Sequence, residues 1–175
     1  RGPIKRAYNN VFYLVVGTSG MPEQDELNLE IARNISMRWW YRANGNTQIF
    51  RDTEVGEDLR GLMNHMILVG SPDTNLISAE FAPDLPIKME PDGVWLGDEW
   101  INGTDMAASF VFPKPENKLS LIHCIWGNSI AGMRLSGGLT PIFSGSNLPD
   151  FMVFDKAVRL YGTAGVRAAG FFDNN

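Results

Sequence analysis

The 175-residue sequence is 44% apolar and 20% charged, a balance that suits one folded domain with a sizeable core and excludes a largely disordered chain. With 15 Lys and Arg against 20 Asp and Glu, the net charge of −5 has the wrong sign for gripping a nucleic-acid backbone, and no apolar run approaches the roughly 20 residues that cross a bilayer. A lone cysteine, Cys124, excludes an intrachain disulfide and CxxC metal sites, and two histidines, His65 and His123, are too few for a His-rich metal centre.

Phe12 to Val16 is apolar at every position, the pattern of a central strand covered on both faces, and it stops at Gly17-Thr18-Ser19-Gly20. A helix is predicted from Pro22 to Arg42. Glu23, Asp25 and Glu26 crowd its start, where the dipole favours negative charge, and Leu27, Ile31, Ile35 and Trp39 recur every four residues on the side that should face a sheet. Asn44-Gly45-Asn46 ends it. Gln48 to Val55 reads as a second strand holding Asp52, and Glu57 to Asn64 as a short helix.

Met66 to Gly70 is the clearest strand, leading through Ser71-Pro72-Asp73-Thr74-Asn75 into a helix that ends near Ala82. Pro86 to Trp100 reads as a hairpin around a Pro91-Asp92-Gly93 turn. Strands follow at Ser109 to Phe112, Leu119 to Trp126 and Asp150 to Asp155, with a Gly-rich, partly helical segment at 130–145 and an edge strand within Val166 to Phe172. Strand–helix alternation in the first half predicts one α/β domain over 1–175. Its expected form is a flavodoxin-like three-layer sandwich with a mainly parallel sheet and a hairpin insertion at about 86–112.

The sequence has no G-x-S-x-G nucleophile elbow, no phosphate loop, no dinucleotide fingerprint and no H-E-x-x-H, which argues against enzymatic activity in this chain alone. No metal and no cofactor is implied. What remains is a rim. In open α/β sheets, ligands bind beyond the carboxyl ends of the strands. Those ends carry Thr18 and Ser19, then Asp52, then Ser71, Asp73 and Asn75, and finally Asn128 and Ser129. They form a candidate site for a small polar ligand, although the same residue types also cap helices and turn loops.

His123 and Cys124 are neighbours in one strand and so point to opposite faces, which excludes a nucleophile–base pair. His123 is expected to be a hydrogen-bonded core histidine, Cys124 a small core residue and His65 structural. Carboxylates gather at Glu54, Glu57 and Asp58 and at Asp98 and Glu99. A pair about 5 to 9 Å apart across a cleft would suit glycoside hydrolysis, and a solvated acidic face is the alternative. Trp95 and Trp100 flank Asp98 and Glu99 as a candidate sugar-stacking or partner surface. Asn34-Ile35-Ser36 and Asn102-Gly103-Thr104 are glycosylation triplets, candidate marks of a secreted protein, with Asn102 read as lying in a loop. Position 1 is arginine and no signal-peptide pattern follows it, which reads as a processed or partial chain.

Several stretches together resemble the C-terminal domain of bacterial prolyl-oligopeptidase-like serine hydrolases. Met66-Ile67-Leu68-Val69-Gly70-Ser71-Pro72-Asp73-Thr74-Asn75 is similar to that group's N-L-I-L-F-G-D-P-x-S-N segment, and Leu148 to Asp155 to its L-P-D-x-V-V-F stretch. Ala168 to Asp173 resembles its A-A-G-F-F-D ending, and Gly127-Asn128-Ser129 falls at its Asn-Ser-Gly-type turn. The likeness runs from Gly2 to the end, with its motifs mainly after residue 65. Ser71 stands where the group has an acid, which puts any ligand role of that acid in doubt. The catalytic domain of the group lies upstream, so the resemblance transfers no catalytic residue. It implies a non-catalytic accessory or binding domain of a secreted protein, partnered by a hydrolase domain or another chain. The alternatives are a small secreted hydrolase using the strand rim and a free-standing protein that binds a carbohydrate or small ligand.

Overall fold

A strand that is apolar throughout must be covered on both faces. In the computed structural model of the chain, which describes residues 3–139, 141–143 and 145–172, the centre is built from such strands. Asp173 of the terminal motif, Gly2, and positions 140 and 144 of the Gly-rich segment lie outside the described residues. Strands β1 (Phe12–Val16) and β3 (His65–Val69) are buried at all five positions. Strand β8 (Asn117–Gly127) is buried continuously from Ile122. With β2 (Ile49–Arg51), β7 (Ala107–Lys114), β9 (Phe151–Phe154) and β10 (Val166–Gly170) they form a seven-stranded sheet in the order β10-β9-β7-β8-β3-β1-β2.

This is not the mainly parallel, flavodoxin-like sheet that the alternation predicts. β2, β1, β3 and β8 are parallel, but β7 runs antiparallel to both β8 and β9, and β10 antiparallel to β9. Connection length explains the difference. Only Pro115 and Glu116 separate β7 from β8, a link that an antiparallel pair can use, whereas a parallel pair needs a crossover of about a dozen residues or more.

The layers differ as well. On one face lie α1 (Pro22–Ala43) and α4 (Ile130–Gly138). Leu27, Ile31, Ala32 and Ile35 of α1 and Met133 of α4 pack on Leu14, Val16, Ile67, Val69 and Ile125, the side chains that a period of two sends to that face. The other face carries the short helix α3 (Leu76–Phe81), with Leu59 beside it, and is otherwise closed by an antiparallel meander of β4 (Ile87–Glu90), β5 (Gly93–Leu96) and β6 (Glu99–Asn102). Ile87, Val94 and Ile101 of the meander join Tyr13, Val15, Met66, Leu68, Phe110 and Trp126 in one core cluster. The insertion is therefore three strands ending at Asn102, not a hairpin reaching residue 112, and the following strand belongs to the main sheet. The remaining helices, α2 (Glu57–Gly61) and α5 (Val158–Tyr161), are single turns.

The second strand is shorter than the Gln48–Val55 run predicts. At Asp52 the chain leaves β2 for a 3-10 turn, Asp52–Glu54. The end of β1 is tied down by close approach: a Cβ on Gly17 would sit 2.3 Å from the Thr74 carbonyl oxygen and 2.8 Å from Asn75 Cβ. Gly17→Ala is expected to cost about 2 kcal/mol, as overpacking of a tight contact does. A denaturation midpoint equal to that of the native chain would show that the Thr74 loop yields freely.

Candidate functional site

The carboxyl ends of β1 and β3 and the turn after β2 meet at Asp52, which is 2% exposed. Its Oδ1 accepts from the Thr18 N–H (3.2 Å), the Thr18 hydroxyl (2.5 Å) and the Thr53 N–H (3.0 Å). Its Oδ2 accepts from the Ser19 hydroxyl (3.1 Å) and the Leu76 N–H that opens α3 (2.9 Å). Burial by itself would raise the Asp52 carboxyl, but hydrogen bonds from the Thr18 hydroxyl, the Leu76 and Thr18 amides and the Ser19 hydroxyl outweigh it and hold the pKa below the ordinary carboxylate value. Five donors fill the roughly four lone-pair sites of a carboxylate. The structure thus brings Thr18, Ser19 and Asp52 together as the rim reading predicts, and leaves the carboxylate no spare capacity for a ligand.

The other rim residues are engaged in the same way. Asn75, fully buried, donates to the carbonyls of Val15 (3.2 Å) and Val69 (3.1 Å) and accepts from Ile77 N–H and Ser78 N–H as the N-cap of α3. Ser71 donates to the Gly127 carbonyl (2.7 Å) and accepts from the Gly127 N–H (2.8 Å), which staples β3 to β8. Asn128 accepts from Met106 N–H (2.7 Å) and donates to the carbonyls of Gly103, Glu90 and Pro91. It is the clip that holds the meander on the main sheet. Ser129 caps α4 through Gly132 N–H and donates to Asp105 (2.7 Å). Between these clusters lies a cavity of about 10 Å³ lined by Gln24, Asn28, Ser71, Thr74 and Ser129, room for a single water.

Asp73 is the rim acid that stays open. It is exposed beside a cleft of about 90 Å³ shared with Met89, Glu90, Pro91 and Asn128. The cleft walls desolvate its carboxyl enough to raise the pKa above the usual value. Asp73 and Glu90 both line it, but at about 90 Å³ the cleft is well below the size of a small-molecule site. Glu54, Glu57, Asp58, Asp98 and Glu99 are all exposed, and among the described residues no group of three His, Cys, Asp or Glu is placed to hold a metal ion.

Trp95 and Trp100 face each other across β5 and β6, with ring centroids 4.9 Å apart and planes inclined by 46°. They are about one-third exposed. Rings so inclined pack on one another and do not present one flat platform to a sugar. Gly93 makes room for Trp100: a Cβ there would lie 2.5 Å from the indole. Asn34 and Asn102 are both exposed, Asn34 within α1 and Asn102 as the last residue of β6 rather than in a loop.

His123 is fully buried between the Tyr8 hydroxyl (2.8 Å from Nδ1) and the Ser109 hydroxyl (2.8 Å from Nε2). The Ser–His–Tyr chain has the connectivity of a nucleophile and its base, but Ser109 is fully buried, so no substrate reaches it. Burial pulls the His123 pKa down to about 3 and pushes the Cys124 thiol up. His65 accepts from Leu121 N–H (2.9 Å), and burial, Lys114 and Arg6 lower its pKa. A buried feature that the sequence did not announce is Lys114, whose Nζ donates to the carbonyls of Arg60 and Leu62 (2.7 Å to Leu62) at the end of α2. Burial lowers its pKa.

No protein-family model matches the chain. A 69-residue stretch is 38% identical to an uncharacterized secreted protein of Arthroderma benhamiae, covering 39% of this chain and 7% of that protein. The chain therefore spans a small part of the relative it matches. No helix among the described residues is long and apolar enough to cross a membrane.

Proposed function

We propose that this chain is a non-catalytic accessory domain of a larger secreted protein, of the serine-hydrolase-associated kind that its C-terminal motifs resemble, and that it docks on a neighbouring domain through the end of the sheet opposite the rim. The observation that carries this is where its apolar surface lies. Val11, Met63 and Leu119 stand at the N-terminal ends of β1, β3 and β8, which are adjacent strands, and are 71%, 67% and 77% exposed. Met37, Trp40 and Tyr41 occupy i, i+3 and i+4 positions near the end of α1 and are 59%, 64% and 76% exposed. That end of α1 reaches the same sheet edge, because the neighbouring Trp39 ring lies 5.1 Å from Phe12.

Met21, Leu76, Leu160, Tyr161 and Phe171 are exposed singly or in pairs elsewhere, whereas these six stand at one end of the domain, and such a cluster marks an interaction surface. The saturated rim supports the same reading, since catalytic residue types there are spent on holding the fold. The likeness to a secreted protein supports the compartment. Intact-mass analysis and N-terminal sequencing of the protein from its natural source test the reading. The expected result is a longer chain carrying a further folded domain, with slower amide exchange at residues 37–41 and 62–63 than in the 175-residue chain alone. A mature protein of these 175 residues only would overturn it.

A further inference from the structure

We infer that the cleft between α4, β9 and α5 binds a small amphipathic carboxylate, a molecule with an apolar body and one acid group. The cleft has a volume of about 430 Å³, within the range of small-molecule sites. Its walls are apolar, formed by Leu135, Leu139, Leu148, Met152, Val158 and Val166, and its charged lining is Arg134 and Arg159 with no Asp or Glu. It lies at the β9–β10 edge, away from the proposed docking end, and the inference does not rest on the accessory-domain reading.

The two arginines are what specify the ligand. Arg60 pairs with Glu80 and Glu116, and Arg167 with Asp155, while Arg134 and Arg159 are exposed beside the cleft. Among the described residues neither Arg134 nor Arg159 forms an ion pair, in a chain with five more acids than bases. Two unpaired guanidinium groups beside an apolar cleft complement a molecule that brings its own carboxylate and buries a hydrocarbon body. Arg is the side chain best suited to such a pair, because its planar fork matches both carboxylate oxygens. Thr163 also lines the cleft. Gly138 and Gly162 line it too, and a Cβ at Gly138 would meet nothing within 4 Å, so a larger side chain can be introduced there without a backbone clash.

Calorimetric titration of the full chain with dodecanoate, dodecanol and dodecylammonium tests the inference. Dodecanoate is expected to bind one to one, and dodecylammonium far more weakly. Arg134→Gln with Arg159→Gln is expected to weaken dodecanoate by about tenfold or more, the size of a lost charge-assisted contact, and to leave dodecanol unchanged. Gly138→Phe is expected to fill the cleft and abolish binding of both, and thermal melting verifies that each variant is folded. If the double variant does not fold, Gly138→Phe and the ammonium comparison still decide the matter. No binding of dodecanoate by the native chain would overturn the inference. Equal binding of dodecylammonium, or undiminished dodecanoate binding by the folded double variant or by Gly138→Phe, would do the same.

Discussion

Between pH 7 and pH 5 the native chain is expected to lose about 2 kcal/mol of stability to one buried imidazole, and the His123→Asn variant is expected to be spared that loss. His123 is enclosed in β8 with no access to water. Its ring nitrogens are both engaged, by Tyr8 and by Ser109, so one nitrogen carries the proton and the other accepts. Burial holds the folded pKa at about 3 against an ordinary 6.5. In the window between those values the unfolded chain binds a proton that the folded chain refuses. Stability therefore rises with pH across the window, by about 1.4 kcal/mol per unit, and is lost as pH falls from about 6.5 toward 3.

His65, lowered by burial and by Lys114 and Arg6, adds to the fall with the same sign. Melting temperature would drop by about 4–8 °C for a chain of this size over those two pH units. His123→Asn should be less stable at pH 7, because asparagine cannot span both hydroxyls, but its slope against pH should be shallower. The slope is the decisive quantity. An unchanged slope in His123→Asn, or an imidazole resonance of His123 titrating near 6.5, would mean that the core opens easily enough to admit the proton. The Tyr8 phenol, pushed up by the same burial, stays protonated throughout, so it contributes nothing to the acid limb.

How much of this was legible beforehand depends on whether a feature is local. β1, β3 and the second half of β8 are apolar at every position, and α1 repeats its apolar residues every four with acids at its start, so these announce themselves. Strand direction does not. Nothing in Ser109 to Phe112 says that it will pair antiparallel with β8; only the two-residue link through Pro115 and Glu116 does. The third meander strand, Glu99–Asn102, was obscured because its charged start reads as part of an acidic cluster. Thr18, Ser19 and Asp52 were found from the rule that strand carboxyl ends gather polar residues, yet their saturation depends on the Leu76 N–H, a backbone donor that side-chain reading cannot weigh. Arg134 and Arg159 lie 25 positions apart, one in the Gly-rich, partly helical segment and the other in a stretch to which the sequence pattern assigns no element. The available signal was Leu135 and Leu139 beside Arg134, an apolar pair at helical spacing.

Removing the Asp52 carboxylate is expected to destabilise the chain by about 3 kcal/mol, because Asp52→Ala takes away the shared acceptor of the Thr18, Thr53 and Leu76 amides and of the Thr18 and Ser19 hydroxyls, part-buried bonds to a charged group worth about 1 kcal/mol or more each. Asp52→Asn keeps the shape but turns one acceptor into a donor aimed at other donors, so it should recover little of the loss. Asp58→Asn, at an exposed position on α2, should stay within about 0.5 kcal/mol of the native chain. The acid limb carries a second signature. The folded carboxyl is held below its ordinary value of 3.8, so the stability it contributes is present above that value and disappears as pH falls through the folded pKa. This loss begins below about pH 4, where most of the His123 effect is already spent, and Asp52→Asn should lack it. Urea denaturation at pH 7 and at pH 3.5 separates the possibilities. An anchor predicts large losses at pH 7 that shrink at low pH. A carboxylate kept for binding or catalysis predicts the opposite, since functional acids are commonly held at a cost to the fold and their neutral variants are often as stable or more so. A stable Asp52→Asn variant would therefore return the rim to the list of possible active sites.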